Sequence, residues 1–353
     1  MDTQAKKATR EDLWRISQFF KTNFMGEGRY GTMDVFTWKA FENPTDKGFV
    51  NFIEIDGDVA STTSITPKIL KLNNKSIPSA EIGDTYTSRK YFRKGLFTIV
   101  ANDARQKAED QGIEYIYGLP NSQAFPGWIK RANFVKQSSL NVRDLSVPLS
   151  AQRKLRKLIG WHGAELLAGS YRIFARTFLG LKSPRISNKT DYTTEECTSL
   201  PEDWSLFWKE AADKYDFIID RDQAPFHWRY LNHPEKYKLI TLRYKGALVG
   251  YTVHKTIPTD LGQSLVIADY LFHPDHENGL NFCLDQIFNY AFTTSTRAIN
   301  IWCEKSSPYY NIFCHRGFKD NSEIPVILYA NNISPEVAQI KNAHFTMGDS
   351  DNV

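Results

Sequence analysis

Apolar positions along the chain alternate between a helical and a strand period. Leu13, Ile16, Phe19 and Phe20 recur at helical spacing, and Thr9 with Asp12 has capping-box spacing, Asp standing in for the usual Glu or Gln. A second short helix is predicted over MDVFTWKAFENP (33–44), stopped by Pro44. Strand-like runs follow: FVNFIEI (49–55), a turn at Asp56-Gly57, then VASTTSITP (59–67). SAEIGDTYTS (79–88) reads as another strand, and a helix runs from about Leu96 to Gln111, closed by Gly112. IEYIYGLP (113–120) is a buried strand, Phe125 to Arg131 a short helix, and VKQSSLNVRDLSVPL (135–149) ends the region with strands.

The same order returns in the second half. FTWKAFENP at 36–44 and FHWRYLNHP at 226–234 both read F-x-W-[K/R]-x-x-x-x-P. Asp56 to Ser61 faces Lys245 to Gly250, Asp84 faces Asp269, Gly95-Leu96 faces Gly279-Leu280, and Phe134 faces Phe318. Five anchors in one order, with an offset drifting only from 190 to 184, indicate a duplicated domain. The unit is far longer than a solenoid repeat. Trp38 and Trp228, repeated in both copies, are expected to be core plugs. The boundaries read as a first α/β domain over 1–150, a linker over 151–189, a second domain over 190–335 and a polar, frayed tail over 336–353.

The linker differs in character. Ala151 to Arg185 holds eight basic residues against one acid, Glu165, or +7, while the whole chain sums to +4. Leu155, Leu158, Ile159, Leu166, Leu167, Ile173, Phe174 and Phe178 are interleaved with the charges. Two readings stand side by side: a helical connector with a solvated basic face, or peripheral membrane contact through 151–185.

At 353 residues, 41% apolar and 14% aromatic, the chain can build two ordinary cores. No apolar run approaches a membrane span. The N-terminus lacks an apolar leader segment. Cys197, Cys283, Cys303 and Cys314 match no zinc spacing and are expected as reduced thiols, which suits a cytoplasmic location. A net charge of +4 does not argue for nucleic acid. The eight histidines form no metal-ligand spacing, so no metal is expected. Phosphate-binding P-loop, dinucleotide and serine-hydrolase motifs are absent.

Chemistry concentrates between Ala80 and Phe134. A strand that ends in a tight basic turn and opens a helix makes an anion site, because the first N–H groups of the helix point outward and its dipole favours negative charge. Arg89, Lys90, Arg93 and Lys94 surround such a turn, and Gly95 lets the backbone approach closely.

This stretch resembles the GNAT superfamily of acyl-CoA N-acyltransferases, whose pyrophosphate loop reads [Q/R]-x-x-G-x-[G/A]. Here the loop is Phe92-Arg93-Lys94-Gly95-Leu96-Phe97; Phe92 and Phe97 depart from the pattern. Leu119-Pro120-Asn121-Ser122 resembles the end of the family's fifth strand, where Asn contacts the pantetheine arm, and Ala132-Asn133-Phe134 stands where the family has Leu-Gly-Phe. The resemblance implies a tandem of mixed α/β (α+β) GNAT-like domains with acetyl-CoA or another acyl-CoA as co-substrate. Its expected contacts are Arg89, Lys90, Arg93, Lys94, Gly95, Leu96, Phe97, Thr98 and Asn121. In the second copy Glu277 stands where the first has Arg93, with Asp275 two residues before, so that copy is expected to keep the fold and not the cofactor.

For the base that takes the amine proton, the candidates are Asp84 and Glu81; three apart on a strand, they are expected on opposite faces. The family's helix-4 Tyr would fall near Ile129 and is missing; Tyr117 and Tyr115 are substitutes. FHWRYLNHPEKY (226–237) resembles tandem GNATs of bacterial surface-polysaccharide clusters, which implies an amino sugar, nucleotide-linked or not, as acceptor. A Fem-like transferase using aminoacyl-tRNA and a non-catalytic membrane-associated module are the alternatives.

Overall fold

The computed structural model describes residues 4–23, 32–184, 189–259, 262–294, 296–330, 337 and 339–351, with backbone alone for 153–166 and 189. The first half runs through β1 (Lys6–Lys7), α1 (Leu13–Asn23), α2 (Met33–Phe41), β2 (Phe49–Ile55), β3 (Asp58–Leu72) and β4 (Lys75–Thr87). It continues with α3 (Leu96–Asp110), β5 (Tyr115–Gly118), α4 (Phe125–Arg131), β6 (Val135–Lys136) and β7 (Val142–Pro148). The long α5 (Gln152–Leu181) leads to β8 (Tyr192–Cys197), α6 (Trp204–Ala212), β9 (Phe217–Ile219) and α7 (Gln223–Phe226). The rest is β10 (Lys238–Tyr244), β11 (Ala247–Thr259), β12 (Gly262–Phe272), α8 (Gly279–Thr293), β13 (Thr296–Glu304), α9 (Pro308–His315), β14 (Lys319–Glu323), β15 (Ile327–Ala330) and β16 (Ala343–His344).

Two sheets result, and their orders mirror one another. The first runs β1-β2-β3-β4-β5-β15-β6, with β9 added beside β3 and β16 beside β9, and the second, read from its far edge, is β8-β10-β11-β12-β13-β7-β14. Each is an antiparallel meander, then one parallel pair, β4–β5 or β12–β13. The duplication read from the sequence is therefore present in topology, and the fold is that of tandem GNAT-like domains. Asp84 and Asp269 both sit where the register of the fourth strand shifts.

The sequence assigns β7 to the first domain, and here the structure differs. β7 lies in the second sheet, between β13 and β14, while β15 crosses back to lie between β5 and β6. The halves exchange a strand. The physical reason is edge pairing: each crossing strand satisfies backbone groups on both sides inside the partner sheet, where its own short hairpin mate would cover one.

In the first half the core lies between the sheet and α3. Ala101, Ala104 and Ala108 recur at helical spacing and bring that helix close to Ile65, Ala80, Ile82 and Ile116. Ile327, carried in on β15, completes this core from the other half.

Trp38 and Trp228 do not plug two separate cores. They stack on one another between the halves, ring centroids 4.2 Å apart and planes 7° from parallel. The tail also departs from expectation. Residues 343–351 are buried; Arg221 donates to Asp349, Arg229 to the Gly348 and Ser350 carbonyls, and Lys68 to the Asp349 carbonyl. Polar composition reads as solvated from sequence alone, but these polar groups meet buried cations.

Candidate functional site

The parallel pairing of β4 with β5 covers Ser79↔Tyr115, Ala80↔Ile116 and Glu81↔Tyr117, then stops. Beyond it the strands part. The opening is a cleft walled by Ile82 to Tyr86 on one side and Gly118 to Asn121 on the other, with Trp128 and Ile327 in its lining. One wall residue is thus contributed by the exchanged strand.

At the mouth of β4 the chain turns through Arg89–Tyr91 into α3. Arg93 (φ +64°) and Gly95 (φ +77°) both take left-handed backbone. A Cβ on Gly95 would meet nothing within 4 Å, so glycine is required by the backbone angle and not by crowding. The first helical N–H groups, at Leu96 and Phe97, have no helix carbonyl to serve. Thr98 differs: its N–H donates to the Gly95 carbonyl at 3.0 Å.

The four cations are exposed along this turn. Lys90 is engaged with Asp58 at 2.8 Å, and the ammonium groups of Lys90 and Lys94 lie 5.0 and 5.2 Å from the Tyr91 ring centre. Leu96 is buried in the core under the turn. Phe97, which departs from the family's small residue, packs edge-on against Trp128 at 5.1 Å, and Gly127 makes room for it. Asn121 lines the cleft while its Oδ1 accepts from the N–H of Gln123 and Ala124, opening α4.

The two candidate bases do not lie on opposite faces. Asp84 takes a left-handed φ of +48° at the bulge, which adds a residue to β4 and returns its side chain to the face of Glu81. Ser64 and Thr66, two apart on β3, share that face: Ser64 Oγ donates to Asp84 Oδ2 at 2.7 Å, and Thr66 pairs with Glu81. Asp84 lines the cleft; Glu81 is fully buried beside it.

Around them is a buried charge cluster. Lys39 Nζ stands 2.6 Å from Asp84 Oδ2 and 4.0 Å from Asp351 Oδ2, and Lys68 Nζ stands 3.1 Å from both Glu81 and Asp351. Ser350 Oγ and the Asp351 N–H donate to Glu81. Burial works to lower the Lys39 pKa, yet the Asp84, Asp351 and Glu81 carboxylates hold it above the ordinary lysine range. Burial first, then the Asp351 carboxylate, pushes Glu81 up to about 7 against the pull of Lys68 and Lys39. Asp351 goes the other way: burial would raise it, but Lys68, Lys39 and Arg229 hold it well below the carboxylate range.

Lys39, Lys68, Asp351 and Ile327 escaped the sequence reading. A signal existed for one of them. Lys39 and Arg229 are the [K/R] of the repeated F-x-W-[K/R] motif, both are buried, and both reach the 348–351 segment. Tyr117 and Tyr115 are buried in a core with Leu70, Leu72 and Phe217 and do not line the cleft; Tyr117 donates to the Asp349 carbonyl at 2.5 Å.

The second half has a different loop and a filled cleft. Gly279 has no left-handed angle, and a Cβ there would meet Leu242 at 2.4 Å, so its glycine serves close packing. Glu277 pairs with Lys214. The Tyr309 hydroxyl binds both the N–H and the carbonyl of Phe272, at 3.0 and 3.3 Å. The chain at β16 packs beside β13 while Thr346 donates to Asp269. Asp269 itself is held by Arg221, Tyr230 and Tyr251. Burial would raise its pKa, but Arg221 outweighs that and holds it far below the carboxylate range.

Residues 4–127 match the family of acetyltransferase (GNAT) domains. Among solved structures, a GCN5-related N-acetyltransferase from Anabaena variabilis is similar over 94% of this chain and 73% of its own, with a TM-score of 0.64 and 14% identity. An N-myristoyltransferase of Saccharomyces cerevisiae with bound myristoyl-CoA is similar over 93% of this chain and 78% of its own, with a TM-score of 0.62 and 13% identity. A tandem GNAT protein from the clavulanic acid biosynthesis pathway is similar over 93% of this chain and 98% of its own, with a TM-score of 0.61 and 11% identity. None of the curated proteins matches the chain in sequence.

Proposed function

We propose that this chain is an acyl-CoA-dependent N-acyltransferase whose single donor site is the β4–β5 cleft of the first half. The observation that carries the reading is the contrast of Gly95 with Gly279. One is left-handed, open above and ringed by cations; the other is packed shut beside an acid. A bound acyl-CoA would supply the activated acyl group. Arg89, Arg93 and Lys94 and the N–H groups of Leu96 and Phe97 fit its pyrophosphate. The parted strands from Ile82 and Gly118 fit an extended arm, with the Asn121 side-chain amide beside it.

Acylation of a neutral amine forms a C–N bond, breaks the thioester C–S bond, releases one proton from nitrogen and expels CoA as its thiolate, which takes a proton from solvent. Asp84 is the acid group on the cleft wall and takes that proton, directly or through water. Lys39 and Ser64 fix its carboxylate in place. Glu81, sealed under Ser350 and Asp351, has a positioning role.

For the acceptor we propose an amino sugar, with surface-polysaccharide synthesis as its setting. The supports are the likeness of residues 226–237 to that group of tandem proteins and the polar cleft wall of Asp84, Thr85 and Asn121. The test is thiol release from acetyl-CoA with a panel of amino sugars, nucleotide-linked sugars, amino acids and peptides. Saturable release with amino sugars alone supports the reading; turnover restricted to peptides would replace it, and CoA bound without any turnover would leave only a binding module.

A further inference from the structure

Along its last turns helix α5 carries an apolar stripe that the rest of the described structure leaves largely exposed. In its last turns Ala175 and Leu179 are buried, and Arg172 donates to the carbonyls of Ala291 and Phe292 at the end of α8. That face anchors the helix to the second half. On a different face Leu167, Tyr171, Phe174, Phe178 and Leu181 follow one another at steps of four and three, within an arc of about 80°. Phe174 is 63% exposed, Leu181 82% and their neighbour Ile173 71%. The Phe174 and Phe178 rings stack at 5.9 Å, so the stripe is contiguous. Single exposed apolar side chains are ordinary; a row along one helix marks a docking surface.

The charge of the same helix selects the partner. Arg153, Lys154, Arg156 and Lys157 stand in its first turns, Arg176 within two turns of its end and Lys182 at its C-cap, with Glu165 as the one acid from 151 to 185. The Lys182 ammonium lies 5.0 Å from the Phe178 ring centre, its stem along apolar surface and its head beyond it. No helix among the described residues is long and apolar enough to cross a membrane. From Leu167 to Leu181 the stripe runs about 21 Å at ~1.5 Å per residue.

We infer that α5 lies against an anionic lipid surface, its exposed stripe among the upper acyl chains and Lys182 beside the headgroup phosphates, with the net positive charge of residues 151–185 drawing it there. A second copy on the same face would bring two strongly basic helices together, and a neutral bilayer would leave the cations without partners. The inference is independent of the acyl-transfer reading.

The test uses the full chain and co-sedimentation with vesicles of phosphatidylcholine alone or with about one-third phosphatidylglycerol, at low and high salt. Binding to the anionic vesicles is expected to be at least about tenfold tighter, and to weaken in salt. Replacing three exposed residues together, Ile173→Ser, Phe174→Ser and Leu181→Ser, should weaken it by about tenfold or more with the melting temperature unchanged. Equal binding to both vesicles, or undiminished binding by the triple variant, would overturn the inference. So would a wild-type dimer in sedimentation velocity that the triple variant converts to monomer, which would give the stripe to a second copy.

Discussion

Trp38 and Trp228 stack face to face, and each indole N–H donates to the other residue's backbone carbonyl, at 2.9 and 3.2 Å. The same residue of each repeat thereby meets its counterpart across the contact between halves. Both are buried, and His233 packs edge-on against Trp38 at 4.4 Å.

Trp38→Ala should therefore cost about 3–5 kcal/mol, the usual range for a buried tryptophan. Trp38→Phe keeps ring contact, loses one N–H and strands the Trp228 carbonyl, at about 1–3 kcal/mol. Denaturant unfolding of both singles and of Trp38→Phe with Trp228→Phe measures the coupling. Strict additivity would deny the stack a joint role.

The buried tail supplies a second expectation. Arg221 Nη2 reaches both Asp349 oxygens at 2.9 Å, while its Nε serves Asp269. Asp349→Ala takes one of two carboxylates from a buried guanidinium and leaves its Nη2 only the Thr346 hydroxyl, a loss of about 3–5 kcal/mol. Asp213→Ala, which breaks the partly exposed pair with Lys71, should cost under about 1 kcal/mol. Equal effects in urea melts would remove the tail from the folding core.

Donor binding should follow the Gly95 turn alone. Arg93→Glu is expected to weaken CoA by about 10- to 150-fold, equivalent to roughly 1.5–3 kcal/mol for one charge-assisted contact. Glu277→Arg, in the filled copy, should leave affinity unchanged. Calorimetry should return one site per chain; two sites would contradict the plugging of the second cleft by Tyr309 and residues 343–347.

Asp84→Asn should keep CoA binding and lower turnover by about 10²–10⁴-fold, with the deficit shrinking at alkaline pH, where the amine loses its proton unaided. Asp269→Asn, in the copy without a cleft, is the comparison. Matching losses of stability in the two variants with turnover intact would make both aspartates structural.

Glu81 makes a prediction of opposite sign to an ordinary ion-paired carboxylate. Its folded pKa is raised, so between its ordinary value of 4.5 and about 7 the folded state holds more proton than the unfolded. Its contribution therefore falls as pH rises through that window, with a slope of up to about 1.4 kcal/mol per pH unit. Glu81→Gln should flatten the decline, as read from urea midpoints at several pH values. A parent profile that rises through the window would count against it.

The Gly95 turn, its helix and the strand before it were legible because glycine, basic residues and apolar period act locally. The duplication was legible because five anchors kept their order. What escaped is long-range. The bulge at Asp84 reverses a face assignment made from strand alternation, and nothing local in EIGDTY announces it. Strand β7 carries the alternation of any half-buried strand, so its pattern fits either sheet. The tail holds Asp349, Ser350 and Asp351, which read as solvated until Arg221, Lys39 and Lys68 are seen waiting for them.

The exchanged strands bear on synthesis as well as on structure. During translation the first half emerges early, yet the slot between β5 and β6 stays open until residues 327–330 leave the ribosome. Until then two strand edges are bare, and the cleft lacks the Ile327 side of its lining. A nascent chain stopped at the end of the linker would carry the whole Gly95 turn beside an unfinished sheet, a species suited to chaperone capture. The half that carries the Gly95 turn completes its sheet only when nearly all of the other half has been made.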